Sequence, residues 1–346
     1  MKKTLLAVAV AAALPAVAFA QTNVTLYGIA DVGVGWGDSG ASGKSSTMFV
    51  NSGIQSTSRL GIRGSEDLGN GLKATFNLEQ GVLWDTGTND GDRGRGTWQR
   101  RSVVGLAGSW GAINLGRDYT PGFMSTVSND VMGYGLYGNW LNWVAVGAGT
   151  GVRGSNGIHY VGTFSGVTLR AMYAEGEQVM PKSSAGDQYG VSAVYAGGPL
   201  NLQGYYEHAA DTGGNKTDRY GIGAGYRFGG IRVAANYGHM KPKGLKKTQA
   251  YGIGASVGVG AGSAIAQVMQ IKDDNTDGKA TIFGIAYVHP LSKRTNLYAS
   301  FGMTNNNSKS ARPIFASDTG VGGPMNPSGT FGDDPKAFAV GIRHMF

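Results

Sequence analysis

The 346-residue chain contains no cysteine. Disulfides, a thiol nucleophile and a zinc site built on thiolates are therefore excluded. Charge is also sparse. Asp, Glu, Lys and Arg together make up 15% of the residues, against about 25% in an ordinary soluble domain. Proline is limited to 10 residues and the 60 glycines follow no Gly-X-Y period, so the chain is not collagen-like. After the N-terminus no apolar run reaches the ~18 residues of a membrane-spanning helix. The five histidines (His159, His208, His239, His289 and His344) are scattered. No His/Asp/Ser set or paired-acid constellation emerges at sequence level. Neither catalysis, a metal site nor a cofactor is expected.

Several short motifs lose their meaning in context. Gly35–Gly40 and Gly149–Gly154 fit G-x-G-x-x-G, but no helical pattern follows either, as a dinucleotide site would need. Gly254-Ala255-Ser256-Val257-Gly258 fits a serine-hydrolase elbow yet lies within an alternating strand pattern rather than at a strand-to-helix turn. Asp273 to Gly278 resembles the start of a calcium loop, but its twelfth position is Gly284 rather than Glu.

The chain starts with a basic Lys2-Lys3, an Ala-rich apolar run from Leu5, and Ala18-Phe19-Ala20 followed by polar Gln21-Thr22-Asn23. This is the pattern of a secretory signal peptide over 1–20, with 21–346 as the exported domain. The net charge is +8 and the pI about 9.5. No dense Lys/Arg tract accompanies them, so no nucleic-acid partner is expected.

What remains is alternation with a period of two. Leu72, Ala74, Phe76 and Leu78 share one face, and Lys73, Thr75, Asn77 and Glu79 the other. Tyr220, Ile222, Ala224, Tyr226 and Phe228 similarly oppose Arg219 and Arg227. Half-buried strands read this way. Sixteen such segments are expected, near 24–36, 58–66, 72–84, 99–108, 111–118, 154–164, 167–176, 187–197, 200–210, 218–228, 231–240, 248–258, 263–272, 279–289, 296–304 and 336–346. Short turns alternate with long polar stretches at 37–50, 85–98, 119–152, 177–186, 211–217, 241–247, 273–278 and 305–335. An even strand number, with short turns at one end and long loops at the other, is expected of an outer-membrane barrel. The predicted fold is all-β, a 16-stranded antiparallel transmembrane β-barrel. A closed barrel also leaves no unpaired sheet edge in lipid. The stretch 119–152 is the longest connection and carries Phe123, Met124, Tyr134, Tyr137, Trp140 and Trp143. Such aromatics suit a loop packed on the barrel wall better than a solvated tip.

Several motifs resemble general trimeric porins of the Gram-negative outer membrane, of betaproteobacterial type. They are Val24-Thr25-Leu26-Tyr27-Gly28, the stretch Ser58 to Ala74, Arg100 to Leu106, Leu115 to Asp118, Tyr287 to Thr295 and the terminal Val340 to Phe346. The resemblance spans nearly the whole exported chain. It implies a homotrimer surrounded by outer-membrane lipid and lipopolysaccharide, passive diffusion of small hydrophilic solutes and ions, and a third long loop folded into the lumen as an eyelet. It also implies that barrel-assembly machinery recognises the terminal Phe346. A substrate-specific channel, such as a sugar channel, is the alternative, and an adhesin or structural barrel a third.

Strand parity assigns Arg59, Arg63, Lys73, Arg170, Arg219, Arg227, Arg232 and Arg343 to the lumen, against the acidic Asp31, Glu79 and Glu207. An anion preference is therefore expected. The family positions at the eyelet match Arg59, Arg100 and Arg153, with Glu79 nearby. Arg63, Arg101, Asp118 and Asp130 complete the candidate constriction, and parity does not choose between Arg100 and Arg101.

Overall fold

A computed structural model of the chain describes residues 23–89, 96–144, 151–176, 186–211, 213–317 and 325–346. The signal peptide expected over 1–20 lies outside the described residues. The strands are β1 (Asn23–Asp38), β2 (Thr47–Ser52), β3 (Arg59–Gly69), β4 (Leu72–Leu83), β5 (Thr88–Asn89), β6 (Arg101–Gly108), β7 (Gly111–Tyr119), β8 (Arg153–Phe164) and β9 (Val167–Ala174). They continue with β10 (Gln188–Gly197), β11 (Leu200–Ala210), β12 (Lys216–Phe228), β13 (Ile231–Pro242), β14 (Thr248–Val259), β15 (Gly262–Asp273), β16 (Gly278–Pro290), β17 (Thr295–Asn306) and β18 (Lys336–Met345).

Setting aside the short β2 and β5, sixteen strands each pair antiparallel with their sequence neighbours. The sheet closes where β1 meets β18, in register from Ile29↔Met345 to Asp38↔Lys336. Closure satisfies the backbone of the first and last strands, which lipid could not do.

Burial is inverted relative to a water-soluble protein. Along β12, Arg219 is 1% exposed while Ile222, on the opposite face, is 63% exposed. On β11, Gln203 and Glu207 are buried beside exposed Leu202 and Tyr206. The face turned out is thus the apolar one, which suits a hydrocarbon surrounding and not water. Outward aromatics gather near both strand ends. Tyr189, Tyr206, Tyr220 and Tyr251 stand toward the long loops, and Trp110, Phe164, Tyr226 and Phe228 toward the short turns. Amphipathic rings at these two levels match headgroup girdles.

Most strand ends shift by up to three residues from the expected bounds, and three differences bear on the site. The polar stretch at 37–50 is not all loop: β1 runs on to Asp38, and Thr47–Ser52 pairs back onto it from Val32↔Ser52 to Gly37↔Thr47. The second wall strand is therefore broken into β2 and β3, and 53–58 between them leaves the ladder. Asp31 holds this break: its carboxylate accepts from Ser56 N (2.5 Å) and Tyr298 Oη (2.6 Å), and its carbonyl from Gly53 N (2.7 Å) and Ser58 Oγ (2.9 Å). Second, β6 begins at Arg101 rather than 99. Third, 305–335 is not simply a polar outer loop. Ile314, Phe315, Ala316 and Met325 are buried, and Ile314, Ala316 and Met325 join the main apolar cluster.

Candidate functional site

Antiparallel register brings five strand ends to one level on the long-loop side. Arg59 at the start of β3 faces Gly81 near the end of β4, and Glu79 on β4 faces Arg101 at the start of β6. Ser102 faces Arg117, and Tyr119 at the end of β7 faces Arg153 at the start of β8. Residues far apart in the chain thereby become lateral neighbours.

Glu79 is the hub. Its Oε1 accepts from Arg100 Nε at 2.7 Å, and Arg59 Nη1 stands 3.9 Å from the same oxygen. Tyr27 Oη donates to Oε2 at 3.1 Å. Arg100 is almost fully enclosed, with a side chain 3% exposed, whereas the Arg59 side chain keeps 21%. Tyr119 Oη accepts from Arg100 Nη2 (2.9 Å) and from Arg153 Nη2 (3.1 Å). The Arg153 guanidinium also lies 4.5 Å from the Tyr119 ring centroid, a cation–π contact. Three guanidinium groups thus converge on one carboxylate and one phenol.

Arg101 takes a different partner, with Nη2 2.6 Å from Asp118 Oδ2. Both lumen-facing Arg101 and pre-ladder Arg100 point inward. Arg100 does so because its amide donates to the Glu79 carbonyl (3.1 Å) before the regular ladder begins, so alternation does not govern it. Beside this pair a cavity of about 220 Å³ is lined by Arg101, Asp118, Tyr119, His159 and Arg170, among others. Arg63 lies further along β3, exposed, with its guanidinium 5.0 Å from the Tyr27 ring centroid.

The long connection after β7 leaves from this cluster and crosses the barrel. Thr120 caps the short helix Pro121–Thr126, accepting from Phe123 N, and Pro121 occupies its first turn. Phe123 stacks on Tyr119 at 4.9 Å. Glu207 on β11 accepts from Gly122 N at 2.6 Å, Arg232 on β13 donates to Ser128 O at 2.5 Å, and Arg219 on β12 donates to Val144 O at 3.0 Å. At the far wall Gln267 on β15 donates to Gly138 O (2.8 Å), and Ser300 on β17 accepts from Tyr137 N (2.9 Å). Every one of these partners is on the inward face of its strand.

Two close approaches require glycine. A Cβ on Gly135 would collide with the Gln55 carbonyl, and one on Gly284 with that of Tyr137. The strand break at 53–58 therefore receives the loop, with Leu136 N donating to Ile54 O at 3.0 Å. Asn139 and Asn142 further bind the backbone at Phe315, so the last long connection closes over the third.

Asp130 does not join the arginines. It is 2% exposed, and its carboxylate accepts from Met132 N (3.2 Å), Tyr134 N (2.9 Å) and Trp140 N (3.1 Å). Burial pushes its carboxyl above the usual range, and the three amides together with the Gln267 side chain on β15 pull it back part of the way. Asp130 thus folds the loop on itself. Arg219, Arg232 and Glu207, assigned to the lumen by parity, act as loop anchors. Tyr119 has no signal in the sequence beyond its place on a strand, and Tyr27 only its place in the Val24–Gly28 motif.

A wide closed barrel with a polar interior, narrowed by its own infolded loop and edged with arginines, is a channel architecture. The chain belongs to the Gram-negative porin family, whose profile matches residues 7–309. It is 37% identical to outer membrane porin protein 32 of Delftia acidovorans over the full length of both chains. It is 43% identical to an outer membrane porin protein of Bordetella pertussis over 34% of this chain and 33% of that one. Its fold superposes on an anion-selective porin from Comamonas acidovorans with TM-score 0.82 and 32% identity, covering 94% of this chain and 100% of the other.

Proposed function

We propose that this porin is a passive diffusion channel of the Gram-negative outer membrane that passes small hydrophilic solutes and prefers anions to cations. The observation that carries the reading is the convergence of Arg59, Arg100 and Arg153 on the single carboxylate of Glu79 and the phenol of Tyr119. An excess of guanidinium at a narrow passage with low-dielectric walls focuses a positive potential on the permeating ion. Charges on the outer loops contribute little, because bulk electrolyte screens them within about 8 Å. Among the candidate constriction residues, Arg59, Arg100, Arg153 and Glu79 set the filter, Arg63, Arg101 and Asp118 line its approach, and Asp130 fixes the loop that narrows it. The likeness to an anion-selective porin at 32% identity supports the same sign.

The channel assembles as a homotrimer through the outward faces of its first and last strands, where Val34, Phe338, Val340 and Ile342 are exposed. The alternative of a sugar-specific channel requires aromatic rings along the path. Tyr137, Trp140 and Trp143 are instead 0–1% exposed, with Trp143 against Arg219 of the wall and Tyr137 donating to Met325 O of the last long connection. In a planar bilayer with a tenfold KCl gradient, the reversal potential should be dominated by chloride. A potassium-dominated potential overturns the proposal, and saturable block by a neutral sugar would favour the specific channel.

A further inference from the structure

The short segment 53–58, where the second wall strand leaves the ladder, is a meeting point for four parts of the molecule. Leu136 N of the crossing loop donates to Ile54 O at 3.0 Å. Asn296 Nδ2 on β17 donates to Gln55 Oε1 at 2.6 Å, and Ser317 Oγ of the last long connection donates to the Gly53 carbonyl. The fourth contact is Asp31 on β1, whose carboxylate joins Ser56 N to the phenol of Tyr298 on β17.

Asp31 is 0% exposed, so its carboxylate is shut off from the permeating ion. It is not half of a wall ion pair either. Arg343 stands directly opposite it across the seam. Among the described residues, however, no cationic side chain lies within ion-pair distance of Asp31, and Arg343 Nη2 turns to Met345 Sδ at 3.2 Å. The buried charge is held instead by an amide at 2.5 Å and a phenol at 2.6 Å, short bonds of the charge-assisted kind. Tyr298 reaches Asp31 from two strands away, and glycines clear its path. Tyr298 faces Gly341 on β18, and Gly341 faces Gly33 on β1. A Cβ on Gly341 would collide with the Tyr298 hydroxyl, and one on Gly33 with the Ile54 side chain. Two glycines in register thus make a trough in the inward wall, along which the phenol crosses a whole strand. Closure of the wall does not call for such a trough, because ladder bonds already join these three strands.

We propose that Asp31 and Tyr298 are positioning residues of the channel: their hydrogen bond across the glycine trough clamps 53–58 to the wall, and 53–58 in turn holds the crossing loop at the width of the constriction. The clamp acts on the size of the passage, and the arginines act on the sign of the ion. This rests on the reading of the crossing loop as the narrowing element, and does not depend on the anion preference.

The test is single-channel recording of the full-length protein in planar bilayers, with neutral polyethylene glycols of graded size as probes of the passage. Tyr298→Phe removes one hydroxyl. Losing one hydrogen bond to a buried charge shifts the ratio of released to held loop about tenfold. The time spent at a larger conductance level should rise by that factor, and larger polymers should enter. Gly341→Ala keeps both partners but displaces the phenol, so it should act like Tyr298→Phe. Asp31→Ala should open the passage at least as much, and adding Tyr298→Phe to it should change nothing further. Asp31→Asn, which keeps one acceptor oxygen, should restore the narrow level in part. The heat-modified gel shift reads the closed barrel separately and should survive in Tyr298→Phe. Conductance levels and polymer exclusion unchanged in both Tyr298→Phe and Gly341→Ala overturn the proposal, even where Asp31→Ala fails to fold. Additive effects of Asp31→Ala and Tyr298→Phe overturn the pairing. A potassium-dominated reversal potential in the unmodified channel would overturn the filter reading alone and leave the clamp standing, so the two fail separately.

Discussion

Arg100 Nε lies 2.7 Å from Glu79 Oε1, with both side chains 5% exposed or less. Arg59 reaches the same oxygen only at 3.9 Å and remains the more open of the two cations. The two arginines therefore divide the work. On the proposed reading, Arg100 chiefly neutralises the buried carboxylate and Arg59 is the member of the filter that supplies more of the charge to the passage. Arg59→Glu should lower the chloride-to-potassium permeability ratio by about fivefold, equivalent to ~1 kcal/mol, with the effect larger at low salt. The folded barrel should persist. Arg100→Ala should instead cost stability, on the order of 3 kcal/mol, since it leaves Glu79 buried without its close partner. Reversal potentials and the temperature of the heat-modified gel shift measure the two effects. Equal selectivity loss with equal stability loss in both variants would refute the division.

Tyr119 links that pair to Arg153. Its hydroxyl accepts from both guanidinium groups, and its ring stacks on Phe123 at the start of the crossing loop. Tyr119→Phe keeps the stacking and removes the acceptor. The expected cost is about 1–2 kcal/mol from two charge-assisted hydrogen bonds. Freed from the hydroxyl, the two arginines should reorient, giving broader single-channel current noise without loss of anion preference. Current noise indistinguishable from that of the unmodified channel would show that the phenol plays no part in ordering them.

The strands were legible because lipid outside and polar lumen inside impose strict alternation, as at Arg219 and Tyr220. Parity fails where the ladder does. Arg100 precedes its strand, so its inward direction depends on the Glu79 carbonyl across the wall. The resemblance named Arg59, Arg100 and Arg153, but nothing local marked Tyr119, because a tyrosine at a strand end reads as a girdle residue. Its role depends on register with β8, a long-range property. The strand break at 53–58 was invisible for the same reason: its partners are Asp31, Tyr298 and Leu136. The last long connection reads as polar from its Gly, Ser and Asn content, and its few apolar residues gain meaning only against Asn139 and Asn142.

Asp130 should control the loop and not the barrel. Its carboxylate collects three backbone amides across ten residues, whereas the strand ladder makes no use of it. Asp130→Ala leaves those buried donors unsatisfied, at about 1–3 kcal/mol each before relaxation. The loop should then detach in part, giving larger and fluctuating conductance while the gel shift of the closed barrel survives. Asp130→Asn, which keeps one acceptor oxygen, should lie between. A steady conductance of ordinary size in Asp130→Ala would remove this residue from the account of the constriction.

Phe346 ends the chain in a contact that separates assembly from stability. Gly28 N donates to Phe346 O at 3.0 Å and Phe346 N to Gly28 O at 3.2 Å. A Cβ on Gly28 would collide with the Phe346 ring. Deleting Phe346 removes two of the seam's hydrogen bonds but leaves the pairing from Ile29↔Met345 to Asp38↔Lys336. Refolding of the deletion variant in detergent should therefore still give a closed, heat-modifiable barrel. In cells the outcome should differ. If assembly machinery captures the free terminal aromatic by strand pairing and a ring pocket, the deletion should lower the folded outer-membrane population several-fold with export intact. Gly28→Ala disturbs the seated ring but leaves the terminal residue unchanged, so it should weaken the seam and spare recognition. Normal folded levels of the deletion variant in cells would sink the recognition reading, and a matching defect in Gly28→Ala would reassign the effect to the seam.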